Sequence, residues 1–217
     1  MSNLKRYKMF IDGDWVESKG KKTFKTLNPE NNEPWAEVPE ANKNDVDIAV
    51  KAAQKAFVGS WSKLFPRDRA KYLKEIANQL RENSEHLGKI ETIDTGKLFK
   101  ETKTQANYIA EYYDYYAGLA DKVEGTVLPI DKPNMQVITT RVPIGVVAAI
   151  IPWNSQMLLT AVKLAPALAM GNTVVIKSSE LAPATLFEFA KLIEKTGIPK
   201  GVVNVISGFG EPCGKEL

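Results

Sequence analysis

The chain has 217 residues, of which 44% are hydrophobic and 25% are charged. This balance is typical of globular proteins and excludes the collagen-like, coiled-coil and disordered classes. The net charge of +3 is spread along the chain, so a nucleic-acid groove is not indicated. The single cysteine, Cys213, excludes an internal disulfide and a cysteine-rich metal site. The sequence has no apolar leader and no apolar run of about eighteen residues, which predicts a soluble, cytoplasmic protein without membrane partners.

The first 124 residues predict a short strand pair followed by helices. Between residues 7 and 16, Asp12-Gly13 separates two apolar stretches, which predicts a β-hairpin. A further extended segment, 24–28, precedes a polar turn. Apolar residues then recur at helical spacing, which predicts helices over 45–58, 66–80, 82–95 and 102–119. The tyrosines of the last helix are expected to lie in a core or an interface.

From residue 125 the pattern changes to strands. Residues 127–130 and 135–142 predict two extended segments. The runs 145–151, 173–177 and 202–206 predict three further strands, and the first two are apolar enough to be buried on both faces. Predicted helices over 155–170 and 183–196 connect them. This alternation predicts an α/β fold with a doubly wound, parallel, Rossmann-like sheet.

Polar or glycine-containing residues follow each predicted parallel strand. The three tips are 152–154 (Pro-Trp-Asn), 177–180 (Lys-Ser-Ser-Glu) and 207–210 (Ser-Gly-Phe-Gly). Since ligands bind at the carboxyl ends of parallel strands, these tips predict a nucleotide pocket, in which Glu180 accepts from ribose hydroxyls and Lys177 donates. The alternative is that they are ordinary polar groups of loops. The glycines at 208, 210 and 214 do not decide between the nucleotide pocket and ordinary loops. Their pattern is G-x-G-x-x-x-G, which is one residue longer than the dinucleotide-binding fingerprint.

Three segments resemble the NAD(P)-dependent aldehyde dehydrogenases: 141–154 (RVPIGVVAAIIPWN), 163–177 (KLAPALAMGNTVVIK) and 197–210 (GIPKGVVNVISGFG). The resemblance begins at 10–15 (FIDGDW), continues through 93–97 (IDTGK), covers the whole chain, and includes motifs similar to those of betaine aldehyde dehydrogenases. It implies an incomplete aldehyde dehydrogenase fold in three parts. Residues 1–124 would be the N-terminal strands and helices of the cofactor domain, 125–142 the first strands of an oligomerisation arm, and 143–217 a truncated βαβαβ NAD-binding core.

The resemblance also implies roles for individual residues. Asn154 matches an asparagine that donates to the oxyanion, and Lys163 matches a lysine assigned to a charge relay, with a structural lysine as the alternative. The residues that match cofactor contacts are Ile151, Pro152, Trp153, Lys177, Ser178, Ser179, Glu180 and Gly210. Glu180 implies a preference for NAD over NADP, because a carboxylate repels a 2′-phosphate. The residues that match a site for a monovalent cation, K⁺ or Na⁺, are Thr26, Leu27, Asp94 and Leu181.

The function implied is that of the N-terminal part of an oxidoreductase that oxidises an aldehyde to a carboxylic acid with NAD(P). The reaction would pass through a thiohemiacetal on a cysteine downstream of residue 217, and the general-base glutamate would also lie downstream. The 217-residue polypeptide alone is therefore expected to be inactive and to self-associate, and the complete chain to form a dimer or tetramer. Cys213 is expected to be structural, and His86 is expected to lie at the surface. The alternatives are a non-catalytic nucleotide-binding or assembly module and, within the family, a CoA-dependent acylating enzyme.

Overall fold

The computed structural model describes residues 4–217, which form a mixed α/β structure. The helices are α1 (Lys43–Val58), α2 (Pro66–Glu82), α3 (Ser84–Thr95), α4 (Phe99–Leu119), α5 (Gln156–Ala169) and α6 (Ala184–Lys195). The strands are β1 (Lys5–Arg6), β2 (Met9–Ile11), β3 (Asp14–Val16), β4 (Thr23–Asn28), β5 (Glu33–Pro39), β6 (Val127–Leu128), β7 (Val137–Ile138), β8 (Val146–Ile150), β9 (Thr173–Ser178) and β10 (Val203–Ser207). The helices predicted from apolar spacing are confirmed. No helix among the described residues combines the length and the apolar character that crossing a bilayer requires.

The central sheet has five strands in the order β3-β2-β10-β9-β8. Strands β8, β9 and β10 are parallel, as predicted, and α5 and α6 form the crossovers between them. The N-terminal hairpin extends this sheet, because β2 pairs antiparallel with β10. Its turn residues Asp12 and Gly13 both have positive φ, 53° and 76°, as a two-residue hairpin turn requires. The sequence predicted the hairpin but not its place beside β10.

Helices cover both faces of the sheet, and each face has its own hydrophobic core. Successive residues of a strand point to opposite faces. Val174 and Ile176 accordingly belong to one core, with helices α2 to α6, whereas Val175 belongs to the other, with α1. The carboxyl ends of the parallel strands border an open cleft that a ligand can reach.

Two predictions about strands are wrong. Strand β8 is not buried on both faces: Ile150 is 52% exposed, and within residues 4–217 the strand pairs with β9 alone, so that it forms an edge. An apolar run shows that a strand can be buried, but not which partners cover it. The predicted strand over 135–142 shortens to β7, which pairs with β6 in a two-stranded ribbon whose Val127 and Ile138 are exposed.

Candidate functional site

The tips of the parallel strands converge on an open cleft of about 580 Å³. Backbone pairing brings them together, since the N–H of Ile151 donates to the carbonyl of Lys177 at 3.0 Å. The lining residues are Ile150, Ile151, Pro152, Lys177, Ser179, Glu180, Gly210, Gly214 and Lys215. Most of the predicted cofactor contacts therefore line one cleft. Three lining residues were not predicted: Ile150 lies within the segment 141–154 but was assigned no contact, and Gly214 and Lys215 follow the segment 197–210.

Lys177 and Glu180 form an ion pair at the wall of this cleft. The Lys177 side chain is only 4% exposed, and its ammonium donates to Glu180 Oε2 at 3.3 Å and to the carbonyl of Ser178 at 3.1 Å. A buried ammonium is costly unless it is paired in this way. The Glu180 carboxylate is about one-third exposed, so it retains lone pairs that a ligand in the cleft can use.

Glycine backbone also lines this cleft. A Cβ added to Gly210 would meet no atom within 4 Å, so this residue borders open space in the cleft. A Cβ on Gly214 would lie 3.7 Å from the side chain of Lys177. A ligand can therefore approach the backbone at Gly210 more closely than it could approach a larger residue there.

The remaining predicted cofactor residues lie elsewhere in the tips. Ser178 is fully buried, and its hydroxyl donates to the carbonyl of Ile206 at 3.3 Å, so its side chain faces the neighbouring strand. Trp153 is exposed and lines a second cavity, of about 560 Å³. Asn154, the predicted oxyanion donor, is exposed on the turn between β8 and α5. Lys163 donates to the carbonyl of Leu159, one turn earlier in α5, at 3.3 Å.

The four residues predicted to bind a cation line the second cavity together: Thr26, Leu27, Asp94 and Leu181. The Asp94 carboxylate accepts from Thr26 Oγ1 at 3.0 Å and from the backbone N–H groups of Ala184 and Thr185 at 2.8 and 3.2 Å. It therefore caps the N-terminus of α6. Burial raises the pKa of Asp94 to about 6, although these hydrogen bonds act to lower it. No cluster of three or more His, Cys, Asp or Glu side chains suited to a metal occurs among residues 4–217.

Cys213 and His86 lie outside the chemistry of the cleft. Cys213 is fully buried against Gly208, and burial raises the pKa of its thiol to about 11, so it is not a thiolate at neutral pH. His86 is exposed on α3, and its Nε2 lies 3.0 Å from Glu188 Oε2.

Comparison with known proteins gives consistent matches along the chain. The model of the aldehyde dehydrogenase family matches residues 15–217. A (Z)-2-((N-methylformamido)methylene)-5-hydroxybutyrolactone dehydrogenase of Acinetobacter baylyi is 51% identical over 99% of this chain and 44% of its own length. A betaine aldehyde dehydrogenase of Bacillus subtilis is 41% identical over 96% of this chain and 43% of its own.

The fold matches solved structures equally well. The NAD⁺ complex of an aldehyde dehydrogenase from Bacillus cereus superposes with a TM-score of 0.94 at 38% identity, over 98% of this chain and 43% of that structure. The chain thus spans less than half the length of the curated relatives and solved structures that it matches.

Proposed function

Because the chain belongs to the aldehyde dehydrogenase family, we propose that it supplies the dinucleotide-binding part of an enzyme that oxidises an aldehyde to a carboxylic acid with NAD. The observation that carries this proposal is the cleft that the Lys177–Glu180 ion pair and the Gly210 backbone line together. Family membership favours this function over a non-catalytic binding or assembly module.

The donors and acceptors of the cleft fit the adenosine half of a dinucleotide. The Glu180 carboxylate is placed to accept from ribose hydroxyls, and the Lys177 ammonium to donate to the same sugar. The apolar Pro152, which is exposed in the cleft, provides a wall for an aromatic base. The negative charge of Glu180 disfavours a 2′-phosphate, so we propose that NAD is preferred and NADP is the weaker cofactor. When bound, NAD accepts the hydride that leaves the substrate carbon.

Asn154 is proposed to stabilise the oxyanion. When a cysteine thiolate in the rest of the protein attacks the aldehyde carbonyl, the carbonyl oxygen becomes negative. The exposed Asn154 amide, at the tip of β8, is available to donate an N–H to that oxygen. A fixed donor of this kind contributes about 3 kcal/mol to the stabilisation of the transition state.

The experiment compares Asn154→Ala with the parent in the full-length protein that carries this segment. The variant is expected to lower kcat about 10²- to 10³-fold, measured as aldehyde-dependent NADH formation, and to leave the Kd for NAD unchanged. Asn78→Ala, on the exposed face of α2, is the matched control and should behave as the parent. A near-normal kcat for Asn154→Ala would contradict the assignment.

Four further features remain proposals. The exposed apolar ribbon of β6 and β7 supports self-association of the complete protein as a dimer or tetramer, because a two-stranded ribbon is marginal without a covering surface. The monovalent-cation site at Asp94 and the cytoplasmic location stay predictions. The charge-relay role of Lys163 also stays a prediction, and its bond to the carbonyl of Leu159 is equally what a structural lysine would form.

A further inference from the structure

A lysine from a distant loop holds the turn that carries Asn154. Lys97 lies between α3 and α4, and its side chain is 27% exposed. Its ammonium donates to Ser155 Oγ at 2.5 Å, and Ser155 directly follows Asn154 in the chain. The contact therefore joins the helical layer to the tip of β8.

The Ser155 hydroxyl does not cap α5 in the usual way. It occupies the N-cap position of α5, where a serine hydroxyl normally accepts from a backbone N–H of the first turn. Among residues 4–217 it forms no such bond and accepts from Lys97 instead. A cation beside a helix N-terminus also opposes the helix dipole, and the first turn of α5 contains no acidic residue to offset it. Local rules of this kind are broken most often at functional sites.

A buried carboxyl group also lies next to Lys97. Glu91 is fully buried in α3, and its Oε1 lies 3.8 Å from Lys97 Nζ. Within the described residues neither Glu91 oxygen has a hydrogen-bond partner. The Lys97 ammonium is therefore the group that can offset the cost of burying this side chain. Glu91, Lys97 and Ser155 thus form a chain of contacts that ends beside Asn154.

Asn154 depends on this support because it has little of its own. Among residues 4–217 its side chain forms no hydrogen bond, and it is exposed at a turn. The direction of its amide is therefore set by the backbone of the turn. A displacement of about 1 Å at a reacting centre can cost about 10²-fold in rate.

We propose that Lys97 is a positioning residue for Asn154, acting through Ser155, and that Glu91 keeps the Lys97 ammonium in place. This inference rests on the proposed role of Asn154 and adds to it. In this role Lys97 itself contacts neither substrate nor cofactor. A loss of Lys97 should consequently lower kcat without weakening the binding of either.

The test uses the full-length enzyme and the variants Lys97→Met, Ser155→Ala, their double variant, and Lys97→Arg. Lys97→Met and Ser155→Ala are each expected to lower kcat about 10- to 100-fold, with the aldehyde KM and the Kd for NAD within about twofold of the parent. The kcat of the double variant should be no lower than that of the less active single variant, because both substitutions remove the same contact between Lys97 and Ser155. Lys97→Arg, which keeps a donor, should retain more activity than Lys97→Met. Lys89→Met, which breaks only an exposed pair with Glu85, is the control.

Different outcomes would overturn different claims. Additive losses in the double variant, or a kcat for Lys97→Met equal to that of Lys89→Met, would overturn the positioning role. If Lys97→Met does not fold, Ser155→Ala still tests the link, because it removes a single hydroxyl, and a normal kcat there would also overturn the role. If Ser155→Ala has a normal kcat and Asn154→Ala has a lowered one, the positioning role of Lys97 is refuted and the proposed role of Asn154 stands. A normal kcat for Asn154→Ala refutes both proposals.

Discussion

Replacement of Glu188 by Gln should destabilise the fold, because this carboxylate links three parts of the chain. Glu188 lies in α6 with its side chain 5% exposed. It accepts from the Tyr7 hydroxyl at 2.8 Å and contacts Lys5 and Lys191 ammonium groups at 2.6 and 3.0 Å, as well as His86. Burial acts to raise its pKa, but these partners outweigh burial and lower the pKa from 4.5 to about 2.

The size of the effect follows from that pKa. One pKa unit corresponds to about 1.4 kcal/mol, so ionised Glu188 contributes about 3 kcal/mol to folding. A group whose pKa is lowered by folding contributes this stability above its unfolded pKa and loses it as the pH falls through the folded value. The contribution should therefore be complete above about pH 4.5 and disappear as the pH approaches 2.

The assay is urea unfolding at a series of pH values. At pH 7, Glu188→Gln should lower the free energy of unfolding by about 2–3 kcal/mol, and the difference from the parent should shrink below pH 4.5. The matched control is Glu194→Gln, at the exposed end of the same helix, where the carboxylate accepts only from Trp15 Nε1 within the described residues. Equal stabilities of the two variants at pH 7 would refute the reasoning.

Three further predictions concern the cleft, the cysteine and the ribbon. Gly210→Val should fold normally but weaken NAD binding at least about tenfold by calorimetry, since its side chain enters the open cleft; an unchanged Kd would contradict this. Cys213→Ala should retain the kcat of the full-length enzyme, because the buried thiol has a pKa of about 11; a folded but inactive variant would contradict it. Ile138→Asp should reduce self-association in light scattering, because Ile138 lies on the exposed ribbon; an unchanged oligomer would argue against that interface.

Local patterns in the sequence predicted most of the elements and most of the cleft. Helices such as α2, with Pro66 at its start, follow from apolar spacing within a single segment. The cleft follows from a topological rule, because residues after parallel strands must meet at one edge of the sheet. Lys177 and Glu180, three residues apart, could therefore be placed together from the sequence alone.

Features that depend on distant partners were not predictable. Strand β5 is rich in charged residues and proline, and it is a strand because β4 and β1 pair with it on both sides. The place of the hairpin beside β10 depends on residues almost two hundred positions apart, such as Phe10 and Val205. The contact between Lys97 and Ser155 likewise joins two segments that no local pattern connects.

The most direct test is to measure the binding of NAD and NADP to the full-length protein and its Glu180→Gln variant. If the Glu180 carboxylate holds the ribose and repels a 2′-phosphate, the variant should bind NAD about tenfold more weakly and discriminate less between NAD and NADP. Glu124→Gln, exposed and outside the cleft, should bind both as the parent does. An unchanged NAD affinity and an unchanged NAD/NADP ratio in Glu180→Gln would contradict the assignment of the cleft.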